Sequence, residues 1–570
     1  MLEAILKFFK MRAKYPYKAL ALVKLLNTLR KTVRQIRLLE SIAVSDGPKA
    51  EPTGKTVVFN TVRLYVPLQL YIEVILMLKL RQRGYKVIML YDDGLLTHHD
   101  TLTKLEPRPY QTHYKPVRAT ALFWLRKIAV MREVLMPYSQ LYNSAAGGEV
   151  DRSIPAPAQP PGTERWGEYI NSSLVRFFIS APDDQILRSE KEYPRAEKMF
   201  RDNADIAAVI AEKAIAQLQP DMVISSHGIY TTWGVFVREM RKHDIEVITY
   251  SSNGYHIDAL DFARNGIACA KDNSEYFDHF IENILGRALA QEELEQTVNE
   301  FVGRRFSGKA NDVRRIGIDS DQADTGIIRE LAAAKTSGIP VFALFPNVMW
   351  DNATTSKKQN VIFESPVEWL VETVKHFLAG ERGLLVIRAH PAEYTWMPVR
   401  VAIEDILVRH FGSEVLTHEN LIIISARSRM PSYRLFEYID AGFVYNGTIG
   451  LEMIYQGIPV LVGARAPYSG MGFTADMTDM TAYFAATGQL STVLETQEQG
   501  RDRLVWFLYV YFILNGIPLK LLSDRLQLVP NFDISTEVQW ADPRLDYVVA
   551  TICGDYTHFQ DAAFMAGTTH

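Results

Sequence analysis

Two runs of alternating strand and helix signals constrain this 570-residue chain more than any other feature. The first opens at Thr56-Val57-Val58-Phe59, predicts a helix over 67–82 and returns as a strand from Lys86 to Tyr91, with Gly84 at the turn between them. It resumes with a helix over 203–217, a strand from Asp221 to Ser225, a helix from Thr232 to Lys242 and a strand from Glu246 to Ser251. The second run starts at Pro340 to Phe345. Its later strands are Leu384 to Arg388, Leu421 to Ser425, Gly442 to Tyr445 and Pro459 to Gly463, with helices expected over 366–379, 399–411, 432–439 and 448–456. Strands joined by helical crossovers pair in parallel, so the expected class is α/β, with two doubly wound, Rossmann-like units. Such sheets bind ligands beyond the carboxyl ends of their strands.

The chain is too long for one hydrophobic core. The sequence divides it into a basic, amphipathic helical extension over 1–50, a Rossmann-like domain over 51–330 with a Gly- and Pro-rich insertion near 144–163, a second Rossmann-like domain over 331–500, and a helical segment over 501–570 that docks back on the body. Apolar residues at 48% and charged residues at 22% are those of a soluble globular protein. The apolar run Leu504 to Leu514 is about half of what a bilayer span needs and is read as a buried helix. Only Cys269 and Cys553 occur, too few for a disulfide framework or a cysteine-based zinc site, which fits a reducing cytoplasm. A net charge of -4 lacks the basic field of a nucleic-acid binder, so no nucleic-acid partner is expected. The first forty residues hold ten Lys and Arg against Glu3 and Glu40, interleaved with Ile5, Leu6, Phe8, Leu22, Leu25 and Leu29. Residues 1–40 are therefore a candidate contact with the inner face of the cell membrane, without a cleavable signal.

Two motifs carry chemistry. In Tyr445-Asn446-Gly447-Thr448-Ile449-Gly450-Leu451-Glu452 a strand ends, small residues allow a tight turn, and a helix begins with exposed N–H groups. Thr448 is expected to cap that helix and offer its hydroxyl to a phosphate, while Glu452, one turn on, suits ribose hydroxyls. In Val386-Ile387-Arg388-Ala389-His390-Pro391-Ala392-Glu393 a buried strand delivers a cation and an imidazole to its carboxyl end, and Pro391 holds His390 extended. Arg388 or His390 is expected to neutralise charge developing on a leaving diphosphate or monophosphate.

These motifs, with Phe345-Pro346-Asn347-Val348-Met349-Trp350-Asp351 and the stretch Gly463 to Thr474, resemble bacterial capsule-polysaccharide biosynthesis glycosyltransferases, a group related to the Kdo transferases. The resemblance covers about 340–485 well and 55–265 more thinly. It implies a GT-B fold whose two Rossmann-like domains face across a cleft, acceptor domain first and nucleotide-sugar domain second. It also implies a sugar transfer onto a surface polysaccharide or lipid-linked glycan. Carried over by position, His390 and Pro391 act at the nucleotide phosphate, Thr448 and Gly450 form the phosphate turn, Glu452 meets the nucleoside, and Asn347 and Trp350 lie near the base. The Kdo transferases carry an acidic residue followed by Gly-Phe in their N-terminal half, and this chain has no such stretch.

In the first half, Ser225-Ser226-His227-Gly228 repeats the layout of strand, polar turn and helix, and His227 titrates in the right range to take a proton from an acceptor hydroxyl. Asp258 and Asp351 are reserve bases. No metal or other cofactor is expected. Gly303 to Lys309 has P-loop spacing, but it follows a helix and Ala310 replaces the required hydroxyl. His98-His99-Asp100 is read as a surface loop. A nucleotide-sugar epimerase on the same fold and a non-catalytic scaffold in a glycan assembly complex are the alternative functions.

Overall fold

The computed structural model describes residues 16–47, 50–99, 110–144, 166–256, 258–270, 291–310, 324–350, 362–380, 383–395, 399–514, 516–523 and 529–559. The chain divides into two compact units. One comprises residues 1–170, 197–272 and 515–570, the other 171–196 and 273–514. The sequence reading had kept 171–196 and the helix after 290 with the first half. Strand and helix alternation along a chain does not record which sheet a helix covers.

In the first unit, helix α1 (Pro16–Asp46) precedes strand β1 (Thr56–Val62), which is buried at every position, as a strand covered on both faces must be. Helix α2 (Pro67–Gln82) starts with proline at its first turn, where a missing N–H costs nothing, and buries every residue except Arg81. Gly84, at φ +82, turns the chain back so tightly that a β-carbon would sit 2.1 Å from the Glu51 carbonyl oxygen. The chain then forms β2 (Lys86–Tyr91), β3 (Leu135–Pro137), β4 (Met222–Ser226) and β5 (Glu246–Ser252). These pair in parallel in the order β3-β2-β1-β4-β5, and β6 (Ala259–Arg264) adds antiparallel to β5. A π-turn at Tyr230–Gly234 leads from β4 into helix α3 (Val235–Lys242).

The second unit contains helix α4 (Gln291–Phe306) and strands β7 (Val341–Phe345), β8 (Leu384–Arg388), β9 (Leu421–Ile424), β10 (Ala441–Val444) and β11 (Val460–Val462). All five pair in parallel in the order β11-β10-β7-β8-β9. Both parallel cores thus run 3-2-1-4-5 when strands are counted within each unit, the doubly wound order expected from the sequence. Helix α5 (Pro366–Leu378) is capped by Ser365, and α6 (Ile449–Tyr455) follows β10. The helix expected over 432–439 is instead a 3-10 turn at Ser432–Glu437, whose i, i+3 spacing sets Tyr433 and Phe436 beside Phe306. The apolar run near 504 is the expected buried element: α7 (Arg501–Leu508) and a π-turn at Tyr509–Leu514 pack on α4 and α6, with Phe301 stacked on Phe512 at 5.2 Å.

The chain then returns to the first unit. Strand β12 (Ile517–Pro518) pairs antiparallel with β6, and helix α8 (Pro543–Cys553) packs on α2. Tyr71 donates to Gln539 Oε1 at 2.6 Å, and Lys79 bonds Asp546 while lying over the Trp540 ring. Among the described residues no helix is long and apolar enough to cross a membrane.

Candidate functional site

A doubly wound sheet opens a crevice where its strand order reverses, which in the second unit lies between the carboxyl ends of β7 and β10. The two motifs nearest that point meet there: Asn347 Nδ2 donates to Asn446 Oδ1 at 2.6 Å, tying the two strand-end loops together. Asn347 Oδ1 and Trp350 Nε1 are buried and have no hydrogen-bond partner among the described residues. The Arg176 guanidinium lies 4.7 Å from the Trp350 ring centre, a contact between residues 174 positions apart that no local pattern signals. Thr448 occupies the cap position of α6, but the expected cap bond is absent. With backbone angles of -68° and -16° it is already helical, a geometry that carries its oxygen away from the N–H groups, and its hydroxyl is left uncommitted among the described residues. Gly450 permits the tight turn, since a β-carbon there would lie 2.6 Å from Tyr468 Oη, which donates to the Gly447 carbonyl.

Beside this crevice, β8 ends in Arg388, and here the expected phosphate role is corrected. The guanidinium is 1% exposed and donates to the carbonyls of Ala389, Ser425, Ser428 and Met430 at 2.8–3.1 Å. It folds the 425–430 loop and has no donor pair left to grip a ligand bidentately; burial pulls its pKa down to about 10. His390 stands differently. Burial, with help from the Arg388 charge, lowers its pKa to about 4, and its Nδ1 accepts from the Ala392 N–H at 3.1 Å. The neutral ring therefore carries its proton on Nε2, as a donor. Pro391 starts the single helical turn Ala392–Thr395 that holds this orientation, its carbonyl accepting from Tyr394 and Thr395.

That turn also places Glu393, the last residue of the His-Pro stretch, for which the sequence pattern indicates no role. Its Oε1 accepts from the Met349 N–H at 3.2 Å, linking the loops after β7 and β8, and burial raises its pKa to about 7. The folded protein thus holds this proton more tightly than the unfolded chain does. The carboxyl's contribution to stability is present below about pH 4.5 and is lost as the pH rises through 7. Glu393→Gln keeps the acceptor and cannot ionise. It should match the wild type at pH 4 and exceed it by up to about 3 kcal/mol at pH 8, at roughly 1.4 kcal/mol per pH unit in between. Urea unfolding at pH 4, 6 and 8 checks this; parallel profiles would refute it.

Glu452, expected at a ribose, is 1% exposed and holds protein instead. Its Oε1 is bonded to Arg305 Nε and lies 3.3 Å from the Tyr433 hydroxyl. Arg305 belongs to the Gly303–Lys309 stretch dismissed as a P-loop, and it extends from α4 with its guanidinium 5.1 Å from the Phe512 ring centre. Only tertiary structure brings these residues together, 147 positions apart.

In the first unit the reversal lies between β1 and β4, and His227 follows β4 directly. His227 and Tyr230 sit at φ +60 and +66, and Val62, at the end of β1, at φ +54. Positive φ is costly for a β-branched or aromatic residue, so backbone strain concentrates at this crevice. The His227 ring lies 5.6 Å from Trp233, and the Arg63 guanidinium lies 4.7 Å from the same tryptophan ring. Arg63 also donates to Gln69 Oε1 at 3.0 Å; it is a cation at the right place that the sequence reading did not single out. Asp258 is exposed in the turn between β5 and β6, and Asp351 lies outside the described residues.

His98 and His99 are not the surface loop expected. They are 5% and 0% exposed, because Asp92 at the end of β2 draws the loop inward through bonds from the Gly94 and Leu96 N–H groups. Tyr65 donates to His99 Nδ1 at 2.8 Å, His99 Nε2 meets Asp92 Oδ2 at 3.2 Å, and burial lowers the His99 pKa to about 4. Asp100 lies outside the described residues. Among the described residues no three His, Cys, Asp or Glu side chains are grouped to hold a metal ion.

No family model and no curated protein matches the chain. Solved structures do align with it. They include S. aureus MnaA with UDP (11% identity, TM-score 0.25, 80% of this chain and 96% of that one) and the β-Kdo 2,7-transferase KpsC of Thermosulfurimonas dismutans (14%, 0.26, 49% and 78%). A third is the UDP-GlcNAc 2-epimerase of Methanocaldococcus jannaschii with UDP-GlcNAc and UDP (10%, 0.23, 79% and 97%). Similarity at this level identifies neither activity nor ligand.

Proposed function

We propose that this chain is a nucleotide-sugar-dependent glycosyltransferase of the GT-B kind, whose second unit binds the donor and whose first unit serves the acceptor, a surface polysaccharide or lipid-linked glycan at the inner membrane face. The observation that carries this reading is the crevice between β7 and β10, whose strand-end surface carries two donors left uncommitted among the described residues: the Thr448 hydroxyl on the loop after β10 and, two strands away, the Nε2–H of His390, a ring that burial keeps neutral near pH 7. In this reading both donate to phosphate oxygens and stabilise the charge that grows there as the anomeric carbon–oxygen bond breaks. The acceptor oxygen forms the new bond to that carbon, and His227 takes its proton. Asn347 and Trp350 supply unsatisfied polar atoms toward the nucleoside end. Side chains provide every donor in this scheme, and no metal is required.

Calorimetry with CMP, UDP and GDP tests the donor site. One nucleotide should bind, and Thr448→Val and His390→Ala should each weaken it by about 1–3 kcal/mol, the range for a hydrogen bond to a charged group. Failure of all three nucleotides to bind ends the donor-site reading. Donor incubated without acceptor separates the epimerase alternative, which alone would return an altered nucleotide sugar.

A further inference from the structure

A basic, amphipathic extension can pack on the body of the protein or lie on a membrane surface, and in α1 the apolar face packs on protein. Leu29, Val33, Ile36 and Leu39 are at most 5% exposed and packed into the first unit. The two carboxylates of the described helix also point to protein: Glu40 Oε1 accepts from the Val130 N–H at 2.7 Å, and Asp46 Oδ2 from Trp540 Nε1 at 2.8 Å. Left outward are Lys24, Arg30, Lys31, Arg34 and Arg37, all exposed and none ion-paired within the described residues, with the Lys31 ammonium 5.5 Å from the Phe532 ring centre. At 100° per residue these five cations fall within an arc of about 140°, along roughly 20 Å of helix. Val23 and Leu38, 37% and 50% exposed, lie in the same arc.

We propose that this ridge docks the protein on an anionic lipid bilayer, by charge and without insertion of the helix; the proposal rests on the membrane-face reading above. A continuous row of cations with both carboxylates turned inward complements a sheet of negative headgroups, and the two short aliphatic side chains among them suit a headgroup boundary. A nucleic-acid duplex is the less fitting partner, since the chain as a whole carries a net charge of -4.

The test is co-sedimentation of the full chain with phosphatidylcholine vesicles containing about 30% phosphatidylglycerol, against phosphatidylcholine alone. Binding should require the anionic lipid and be lost in about 0.5 M salt, where the Debye length falls to roughly 4–5 Å. Each near-surface cation contributes roughly a factor of five, so Arg30→Glu/Arg34→Glu/Arg37→Glu should weaken binding by at least about 100-fold. Leu38→Ser should change it less than about threefold. The altered positions are exposed, and an unchanged melting curve verifies folding; Lys24→Gln/Lys31→Gln supplies a milder second variant, expected to lose roughly 25-fold. Equal binding to neutral vesicles, insensitivity to both charge variants, or preference for duplex DNA over the anionic vesicles at matched salt overturns the proposal. Nucleotide calorimetry on the same preparations separates the two readings: intact nucleotide binding with no vesicle binding removes the ridge and spares the donor site.

Discussion

Arg388→Leu is expected to destabilise the second unit by at least about 4 kcal/mol. The substitution keeps apolar bulk at the end of β8 but deprives four carbonyls, those of Ala389, Ser425, Ser428 and Met430, of their donors. Each buried acceptor left without a partner costs about 1–3 kcal/mol, and water entering the loosened loop recovers part of that. Arg388→Lys should lie between, because one ammonium has three donors on a single point and cannot span carbonyls that the planar guanidinium reaches from two nitrogens. For a unit of this size the Leu variant should melt about 8–16 °C lower. Thermal unfolding followed by calorimetry measures it directly. A Leu variant that melts like the wild type yet loses nucleotide would reverse the correction and return Arg388 to the ligand.

His227→Ala is expected to lower turnover by about 10²–10⁴-fold while leaving nucleotide affinity nearly unchanged. A base acting on the acceptor hydroxyl works in the transition state, so its loss falls on kcat more than on donor binding. The acidic limb of the pH–rate profile should vanish with it, because only the neutral imidazole accepts a proton. Alanine inherits the φ of +60 at this position and gains no relief from it, so urea unfolding on the same sample verifies that the variant is folded before its turnover is compared. Wild-type turnover in the variant would make His227 a turn residue and pass the role to Asp258 or Asp351. Loss of nucleotide binding in step with activity would make it a donor ligand instead.

The parallel cores were legible because periodicity and turn residues report local structure: Pro67 and Gly84 bracket a helix, and Leu384 to Arg388 is a strand in sequence and structure alike. What a polar side chain does at a strand end is not local. Arg388 reads as a phosphate cation until the 425–430 loop is seen around it, and Glu452 reads as a ribose ligand until α4 delivers Arg305. Arg63 belongs to no motif, and Glu393 closes the His-Pro stretch without a role of its own; one becomes notable through a tryptophan 170 positions away, the other through a backbone N–H from the loop after β7. The strands missed, β3, β6 and β12, are short or antiparallel edge pieces, whose existence depends on a neighbour more than on their own pattern.

The return of the chain to its first unit has a consequence for how the protein is made. The face of α2 that carries Tyr71 and Lys79 receives its partners, Gln539 and Asp546, only after the whole of 273–514 has left the ribosome. At roughly 5–20 residues per second that interval lasts about 10–50 s. The second unit needs only the earlier stretch 171–196 to be complete, so it can close while the first still lacks its outermost strand and its covering helix. Synthesis and completion therefore run in opposite orders, and the nascent chain offers a chaperone one particular surface, the unroofed side of α2, until α8 arrives.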